Sequence, residues 1–364
     1  RLAAALARCW VYAGNASRAV PFADEAVVLA DSVGDAVLTA DCLDAALAAN
    51  WGPDDLNRRG LLVDSLDDVT AHVLDPAAQL RARLWGLQIA CECLEVPAIH
   101  RQLRGLERLG ERSPLAMFFA ASRRLMVDVL HGRTDTVGRL CEIAREAAAQ
   151  AFVPDGWKVL EVMQGFAAIQ SGDAEACAAT ASRAEAYALT EGVASVTAEA
   201  AVLWLGADEP ERAKVLLGAL EGSLDRLPRD VNWLLTQQLA LQAAVAIDHG
   251  SVIELVTPLL TPYEGCAVMN AGAVWFHGVT DDPLSRAHER LGNGELAARL
   301  RARAVATYTR IGATWWRDQL AASTATLSAT SATSATSPRT RHLHLHPTTG
   351  GLWSIGPDGD TVSL

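Results

Sequence analysis

The chain has 364 residues, of which 50% are apolar and only 5% aromatic, and its formal net charge is −12. A surface this acidic repels phosphate backbones, so we expect no direct binding of nucleic acid. Ala and Leu supply most of the apolar side chains, which favours packed helices over sheets. The length allows two or three ordinary domains or one extended repeat array.

No apolar run approaches the roughly 20 residues that a membrane-spanning helix needs, and no signal peptide is visible. We therefore expect a cytoplasmic protein that does not enter a membrane. Seven cysteines occur without any CxxC pair, mostly at apolar helical positions, and we predict that they are small core residues in a reducing compartment. The chain opens Arg1-Leu2-Ala3 without an initiator Met, which suggests a piece of a longer protein.

In chain order, helical segments alternate with breaks that contain Gly, Pro or Asp. Ser17 is the predicted N-cap of the second helix, and Pro258 is predicted to kink or end the helix that contains it. We predict helices over about 2–12, 17–33, 35–50, 54–75, 76–95, 97–109, 113–131, 137–148, 154–171, 174–191, 194–205, 210–224, 229–249 and 252–262, and a helix–turn–helix unit over 284–316 with its turn at Gly292.

The breaks recur at a regular distance. The predicted turn glycines Gly132, Gly172, Gly206, Gly250 and Gly292 are separated by 40, 34, 44 and 42 residues. These spacings lie between the 34 residues of tetratricopeptide repeats and the 40–47 residues of looser helical repeats. We predict an all-α fold over residues 1–322, a tetratricopeptide-like right-handed α-solenoid of about eight helix hairpins. The alternative is a helix bundle in which some of these glycines are ordinary C-caps.

An irregular connection is predicted from Glu264 to Pro283, and a loop of this length is often functional. The apolar run 271–276 within it is predicted to form a short helix. Side chains that are candidates for contact with a ligand or partner are Asn270, Trp275, Phe276, His277 and Trp315. Alternatively, Trp275 and Phe276 only cover the core of adjacent helices. The sequence does not decide between these two interpretations.

The composition changes after Ala322. Residues 323–341 are a Ser/Thr/Ala run that we interpret as a flexible, disordered linker. Residues 342–364 are interpreted as the start of an incomplete β domain, with a short hairpin between 352–355 and 361–364. His342, His344 and His346 alternate and would share one strand face, but no Cys or carboxylate completes a metal site, so we predict no metal.

No catalytic motif is present. The sequence has neither a GxxxxGK[ST] phosphate loop nor a GxSxG nucleophile elbow. The acidic pairs Asp54-Asp55, Asp67-Asp68 and Asp281-Asp282 are predicted at turns or on solvated helix surface, where they give no acid–base geometry. We predict that Trp157, Trp204 and Trp233 lie in the core. The chain is therefore expected not to be an enzyme and to have no cofactor.

The segment 270–316 resembles the C-terminal helical-repeat region of large actinobacterial transcriptional regulators. The likeness is carried by Gly272, Phe276-His277-Gly278, Leu284, Leu291-Gly292, Ala297-Ala298, Ile311-Gly312-Ala313 and Trp315. The tail, with 352–355 and 361–364, resembles a strand pair that follows the array in some relatives. Where the family has an uninterrupted apolar helix, this chain has Thr280-Asp281-Asp282-Pro283, so that helix is predicted to start late.

In that family an ATPase module precedes the tetratricopeptide-like array, and many members end in a LuxR-type helix-turn-helix. The resemblance implies a non-catalytic interaction or sensor array of a multidomain regulator, which docks a protein partner or a domain of the same chain. Two alternatives remain open. One is a small-molecule inducer sensor that binds near residues 266–282. The other is a helical segment of a signalling ATPase or nucleotide cyclase without a DNA-binding role.

Overall fold

The structure is a computed structural model that describes residues 1–322 and the backbone of three short strands near the C-terminus. The described part is mainly helical, as predicted. The chain divides into two compact units, Arg1–Asp318 and Gln319–Leu364. The linker predicted over 323–341 lies outside the described residues. In the part that the structure describes, no helix is both long enough and apolar enough to cross a membrane.

Helices make up most of the described residues 1–322. The helices are α1 (Leu2–Tyr12), α2 (Ala16–Val33), α3 (Ala36–Ala49), α4 (Leu56–Thr70), α5 (Pro76–Glu92), α6 (Val96–Gly110), α7 (Pro114–Leu130), α8 (Val137–Ala151), α9 (Gly156–Ser171), α10 (Ala174–Glu191), α11 (Ala194–Gly206), α12 (Pro210–Glu221), α13 (Trp233–Ala246), α14 (Gly250–Leu260), α15 (Asp281–Arg290), α16 (Gly294–Ile311) and α17 (314–322). Short 3-10 turns lie at Thr134–Thr136, Leu224–Arg226 and Thr261–Tyr263.

Five strands accompany these helices. In the first unit, β1 (Ala267–Met269) and β2 (Phe276–Val279) pair antiparallel. In the second unit, β3 (His344–Pro347), β4 (Trp353–Gly356) and β5 (Val362–Ser363) form an antiparallel sheet in that order. The β4–β5 pair, with Ile355 opposite Val362, corresponds to the hairpin predicted near the C-terminus.

One turn recurs at the ends of nine helices. In each turn, the residue directly after a left-handed residue donates its backbone amide to the backbone carbonyl five residues earlier, at 2.8–3.0 Å, as in a Schellman motif. The left-handed residues of these turns, with φ between 53° and 79°, are Gly14, Leu94, Gly132, Phe152, Gly172, Asp208, Asp248, Gly292 and Gly312. At the ends of the odd-numbered helices α5 to α15, the left-handed residues are separated by 38, 40, 36, 40 and 44 residues. The repeat is therefore close to 40 residues.

Two of the predicted turn glycines are wrong. Gly206 is the last residue of α11 and Gly250 is the first residue of α14, so both are helical. The left-handed positions are Asp208 and Asp248 instead. Asp is among the few residues other than Gly that adopt this conformation routinely, because its short side chain bonds locally.

Helices pack against their neighbours in the chain, and alternate helices also pack together: α1 with α3, α3 with α5, α7 with α9, α9 with α11, α11 with α13, and α13 with α15. Helix α13 is the most enclosed of these, since 11 of its 14 residues are buried. It contacts α11, α12, α14, α15 and β1. Three of these buried residues are polar, and their side chains donate to backbone carbonyls: Thr236 to Asn232, Gln237 to Leu224 and Gln238 to His277.

Residues 264–283 are not the irregular connection that we predicted. The strands β1 and β2 pair at Ala267 with Val279 and at Met269 with Phe276, with a bulge between them, and every strand residue is buried. No helix forms over 271–276, because Gly272 and Ala273 at the hairpin tip are left-handed. Helix α15 begins at Asp281, directly after β2, so the predicted late start is also wrong.

Several local predictions have mixed outcomes. Asn15, not Ser17, caps α2 by accepting a hydrogen bond from the Arg18 amide. Pro258 lies inside α14, which ends two residues later in a 3-10 turn. Trp204 and Trp233 are buried as predicted, whereas Trp157 in the first turn of α9 is 57% exposed. Four of the seven cysteines are buried, and Cys9 and Cys93 are exposed.

The left-handed turn at Asp208 can be tested by substitution. Asp208→Gly removes the contact between Cβ and the following carbonyl, so we expect the free energy of unfolding to rise by about 0.5–1 kcal/mol. Asp208→Val places a β-branched residue there and is expected to lower it by about 1–3 kcal/mol. Urea denaturation measures both. Equal stability of the two variants would contradict the turn.

Candidate functional site

The buried β1–β2 hairpin is held by side chains from helices far away in the chain. Two hairpin carbonyls accept hydrogen bonds from side chains: that of Gly272 from Arg123 Nε at 2.8 Å, and that of His277 from Gln238 Nε2 at 2.6 Å. Two hairpin amides donate to side chains: that of Ala273 to Gln88 Oε1, and that of Val279 to the Tyr308 hydroxyl at 3.1 Å. Buried backbone groups must be paired, so these side chains fix the hairpin in place. They come from α7, α5, α13 and α16.

The candidate contact residues lie on or beside this hairpin. Trp275, Phe276 and His277 are 3%, 4% and 2% exposed. Trp275 stacks on Phe166 of α9, and His277 meets the same ring edge-on at 4.6 Å. Little of these three side chains is therefore open to solvent, although Phe276 also lines an apolar cavity of about 20 Å³ together with Met126 and Ile311.

Trp315 is half-buried at the start of α17. Its ring packs edge-on against Trp316, at 4.9 Å between centroids, and Trp316 in turn contacts Phe276. The remaining candidate, Asn270, follows β1 and is also half-buried. All five candidate residues are thus connected to the hairpin, but as members of a packed cluster and not as the lining of an open groove.

Asn270 joins two ionisable groups in a short hydrogen-bonded chain. Its amide Nδ2 donates to Glu199 Oε1 at 2.6 Å, and its Oδ1 lies 2.6 Å from His277 Nε2. Because an amide oxygen only accepts, His277 must carry its proton on Nε2. Burial raises the pKa of Glu199 to about 7 and lowers the pKa of His277 to about 3. Near neutral pH the histidine is uncharged, and the charge of Glu199 changes.

The acidic pair Asp281-Asp282, predicted to be solvated, is buried at the start of α15. Asp281 forms a salt bridge with Arg303, and Asp282 accepts from Arg286 Nε at 3.0 Å and from the Tyr308 hydroxyl at 3.2 Å. Burial raises the pKa of Asp282. Carboxylates in a first helical turn are also stabilised by the helix dipole. The pair anchors α15 to α16.

Two distant segments meet on one side of the hairpin. Asp54 accepts a hydrogen bond from Arg229 Nε at 2.9 Å and another from the Tyr263 hydroxyl. A Cβ at Gly52 would lie 2.9 Å from the Arg229 carbonyl oxygen, so this position has no space for a side chain. We call this contact between residues 51–54, Arg229 and Tyr263 the closure.

A cavity lies beside the closure, between α4, α5, residues 230–235 and β1. Arg59 of α4 lines it, although this residue is only 3% exposed. Its Nη2 lies 2.7 Å from Glu92 Oε2, while Nε and Nη1 have no hydrogen-bond partner among the described residues. About 50 Å³ of water-sized space is present there. A buried donor without a partner costs about 1–3 kcal/mol, so a water molecule or a ligand is expected in this space.

Sequence reasoning did not find Arg59, the Glu199–Asn270–His277 chain or the inward direction of Asp281 and Asp282. Each depends on partners from other helices, and no local pattern signals them.

No protein-family model matches the chain, and no curated protein is significantly similar to it. Within residues 1–322, no group of three His, Cys, Asp or Glu side chains is placed to hold a metal ion. The side chains of His342, His344 and His346 lie outside the described part of the chain.

The raised pKa of Glu199 predicts a specific pH dependence. The folded state keeps the proton up to about pH 7, whereas the unfolded chain loses it near its ordinary value of about 4.3, so this group lowers stability as the pH rises between these values. Glu199→Gln removes this effect and keeps an oxygen for Asn270. Urea denaturation measures this as the free energy of unfolding of the variant minus that of the wild type. We expect this difference to rise by about 2–3 kcal/mol between pH 5 and pH 8. A pH-independent difference would contradict the assignment.

The close approach at Gly52 predicts different effects for two alanine substitutions. Gly52→Ala forces the new methyl group against the Arg229 carbonyl and is expected to lower the free energy of unfolding by about 1–3 kcal/mol. Gly60→Ala, inside α4 with no atom within 4 Å of the new Cβ, is the matched control. It is expected to raise stability by about 0.5–1 kcal/mol. Calorimetric melting compares them, and stabilisation by both substitutions would exclude the closure.

Proposed function

We propose that this chain is a non-catalytic protein-interaction and sensor array of a multidomain transcriptional regulator in the cytoplasm. Its helices would form a tetratricopeptide-like right-handed α-solenoid of helix hairpins. Support comes from the turn that recurs about every 40 residues, from the packing of neighbouring and alternate helices, and from the resemblance of residues 270–316 to such regulators. The proposed function of the array is to bind either a protein partner or another domain of the same polypeptide.

The observation that carries the proposal is the convergence of several helices on one hairpin. Side chains from α5, α7, α13 and α16 bond its backbone, and Phe166 of α9 packs on its aromatic residues. A shift in any of these helices changes a buried hydrogen bond or ring contact of the same element. Such an arrangement suits a sensor, since a signal at one helix pair reaches the others through the hairpin.

Because the hairpin occupies the surface that these helices share, we place partner docking elsewhere. A cleft of about 1250 Å³ lies where α4 and α6 end and α5 and α7 begin. At its edge Leu74 is 93% exposed and Leu115 is 40% exposed. Arg108 and Arg112 are exposed beside them and form no ion pair with any described residue. Apolar side chains next to unpaired guanidinium groups suit an acidic amphipathic segment.

Binding between the 364-residue chain and the other segments of its parent polypeptide tests this proposal. We expect a dissociation constant of about 10 µM or tighter by biolayer interferometry, since cooperating domains bind in trans in this range. Leu74→Asp with Arg108→Glu should weaken binding at least about tenfold by placing negative charge in the cleft.

The matched control is Leu189→Asp, at a residue that is 77% exposed on α10 and outside the cleft. It should leave the affinity unchanged. Absence of binding to every parent segment at tens of micromolar, or equal weakening by the control, would reject the docking function.

A second candidate function is supported by the cavity at Arg59. Cys266 and the β1 residues Ala267–Met269 line it, so it lies at the start of the segment where a small-molecule inducer was expected to bind. In that case an inducer would occupy the cavity beside the closure, and the hairpin would relay its presence to the rest of the array.

A further inference from the structure

The cavity beside the closure has a defined set of hydrogen-bond donors. A guanidinium group has five N–H donors. In Arg59, Nη2 is taken by Glu92 at 2.7 Å and by the Gly52 carbonyl at 3.4 Å. The Nε hydrogen and the two Nη1 hydrogens have no acceptor among the described residues, although the side chain is 4% exposed. The site therefore presents three free N–H groups, on two edges of the guanidinium, that require oxygen acceptors.

The charges around Arg59 restrict the kind of acceptor. Glu92 neutralises the guanidinium, and Gln88 donates its amide to the other oxygen of Glu92, which holds that carboxylate in place. Asp230 lines the same cavity. An anion would bring a third negative charge to a site with one positive charge, which is unfavourable in a poorly solvated position. A neutral oxygen acceptor has no such penalty.

The shape of the cavity restricts the size of the ligand. The water-sized space of about 50 Å³ exceeds the 10–15 Å³ that one water needs, but it holds only a small group. The walls beyond Arg59 are largely apolar, with Leu56, Val231 and Leu234 next to Trp51. A carbonyl group with a short apolar substituent matches both the donors and these walls.

We infer that this cavity binds a small neutral carbonyl compound, an amide, ester or ketone, whose oxygen accepts a hydrogen bond from one of the free Arg59 donors, Nε or Nη1. This inference rests on the second candidate function, and it specifies the chemical class of the inducer. The ligand contacts residues 51–59 on one side and residues 230–235 on the other. Its binding therefore stabilises the closure, in which Asp54 bonds Arg229.

Thermal-shift titration of the full chain tests the ligand class. The probes are acetamide and methyl acetate, and the comparators of similar size are acetate and ethylammonium. We expect both neutral carbonyl probes to raise the melting temperature in a concentration-dependent manner. The two charged comparators should bind at least tenfold more weakly. In ¹H–¹⁵N spectra, the carbonyl probes should also shift one Arg Nε–H signal, which Arg59→Lys removes.

Arg59→Lys keeps a positive charge near Glu92 but lacks the Nε and Nη1 donors, so its affinity for the carbonyl probes should fall at least tenfold. Arg58→Lys, at an exposed position on the same helix, is the control and should bind like the wild type. If Arg59→Lys does not fold, Leu234→Trp serves instead, because the indole fills the cavity from the opposite wall and should abolish binding.

Three results would overturn the inference: no response to either carbonyl probe up to 50 mM, which would mean that the cavity holds water only; acetate binding as tightly as acetamide; or unchanged binding in both cavity variants. These outcomes leave docking at the Leu74 cleft unaffected. Conversely, if the amide binds through Arg59 but does not change the affinity for a parent segment, the ligand site is supported and the sensor function fails.

Discussion

The structure depends on the need to pair every buried backbone polar group of the β1–β2 hairpin. A two-stranded hairpin is marginal in water by itself, and its two strands are only three and four residues long. Buried inside the first unit, it has no water for the groups that the strand pairing leaves free. Side chains from the helices supply these partners, so the hairpin is stable only within the helices that surround it.

Typical free energies indicate which contacts contribute most to the stability of this arrangement. Leaving a buried donor or acceptor such as the Ala273 amide or the His277 carbonyl unpaired costs about 1–3 kcal/mol each. The Arg229–Asp54 ion pair, with side chains 47% and 56% exposed, contributes only about 0–1 kcal/mol. The surface ion pair therefore contributes little to the closure, where the Arg229 guanidinium also lies over the Tyr263 ring and the Tyr263 hydroxyl donates to Asp54. A ligand at Arg59 would act on a contact that is weak enough to be shifted.

Much of the helical part could be predicted from the sequence, because Gly, Pro and Asp breaks between Ala- and Leu-rich segments are local signals. The hairpin could not be predicted in this way. Its strands are short and buried on both faces, so they show no alternation of polar and apolar residues. The inward direction of Asp282 and the burial of Arg59 depend on Tyr308 and Glu92, which lie in other helices. Such pairings are set by tertiary packing, and a single sequence gives no sign of them.

Native-state hydrogen exchange of the hairpin amides tests the central claim most directly. Ala273 and Val279 donate to Gln88 and Tyr308, and the amide of Leu239 in the enclosed helix α13 is a suitable reference. If the hairpin holds the helices together, the amides of Ala273 and Val279 exchange only when α13 also unfolds, with the same opening free energy and the same denaturant dependence. Exchange of these two amides at nearly the rate of an unfolded chain, while Leu239 stays protected, would contradict the account.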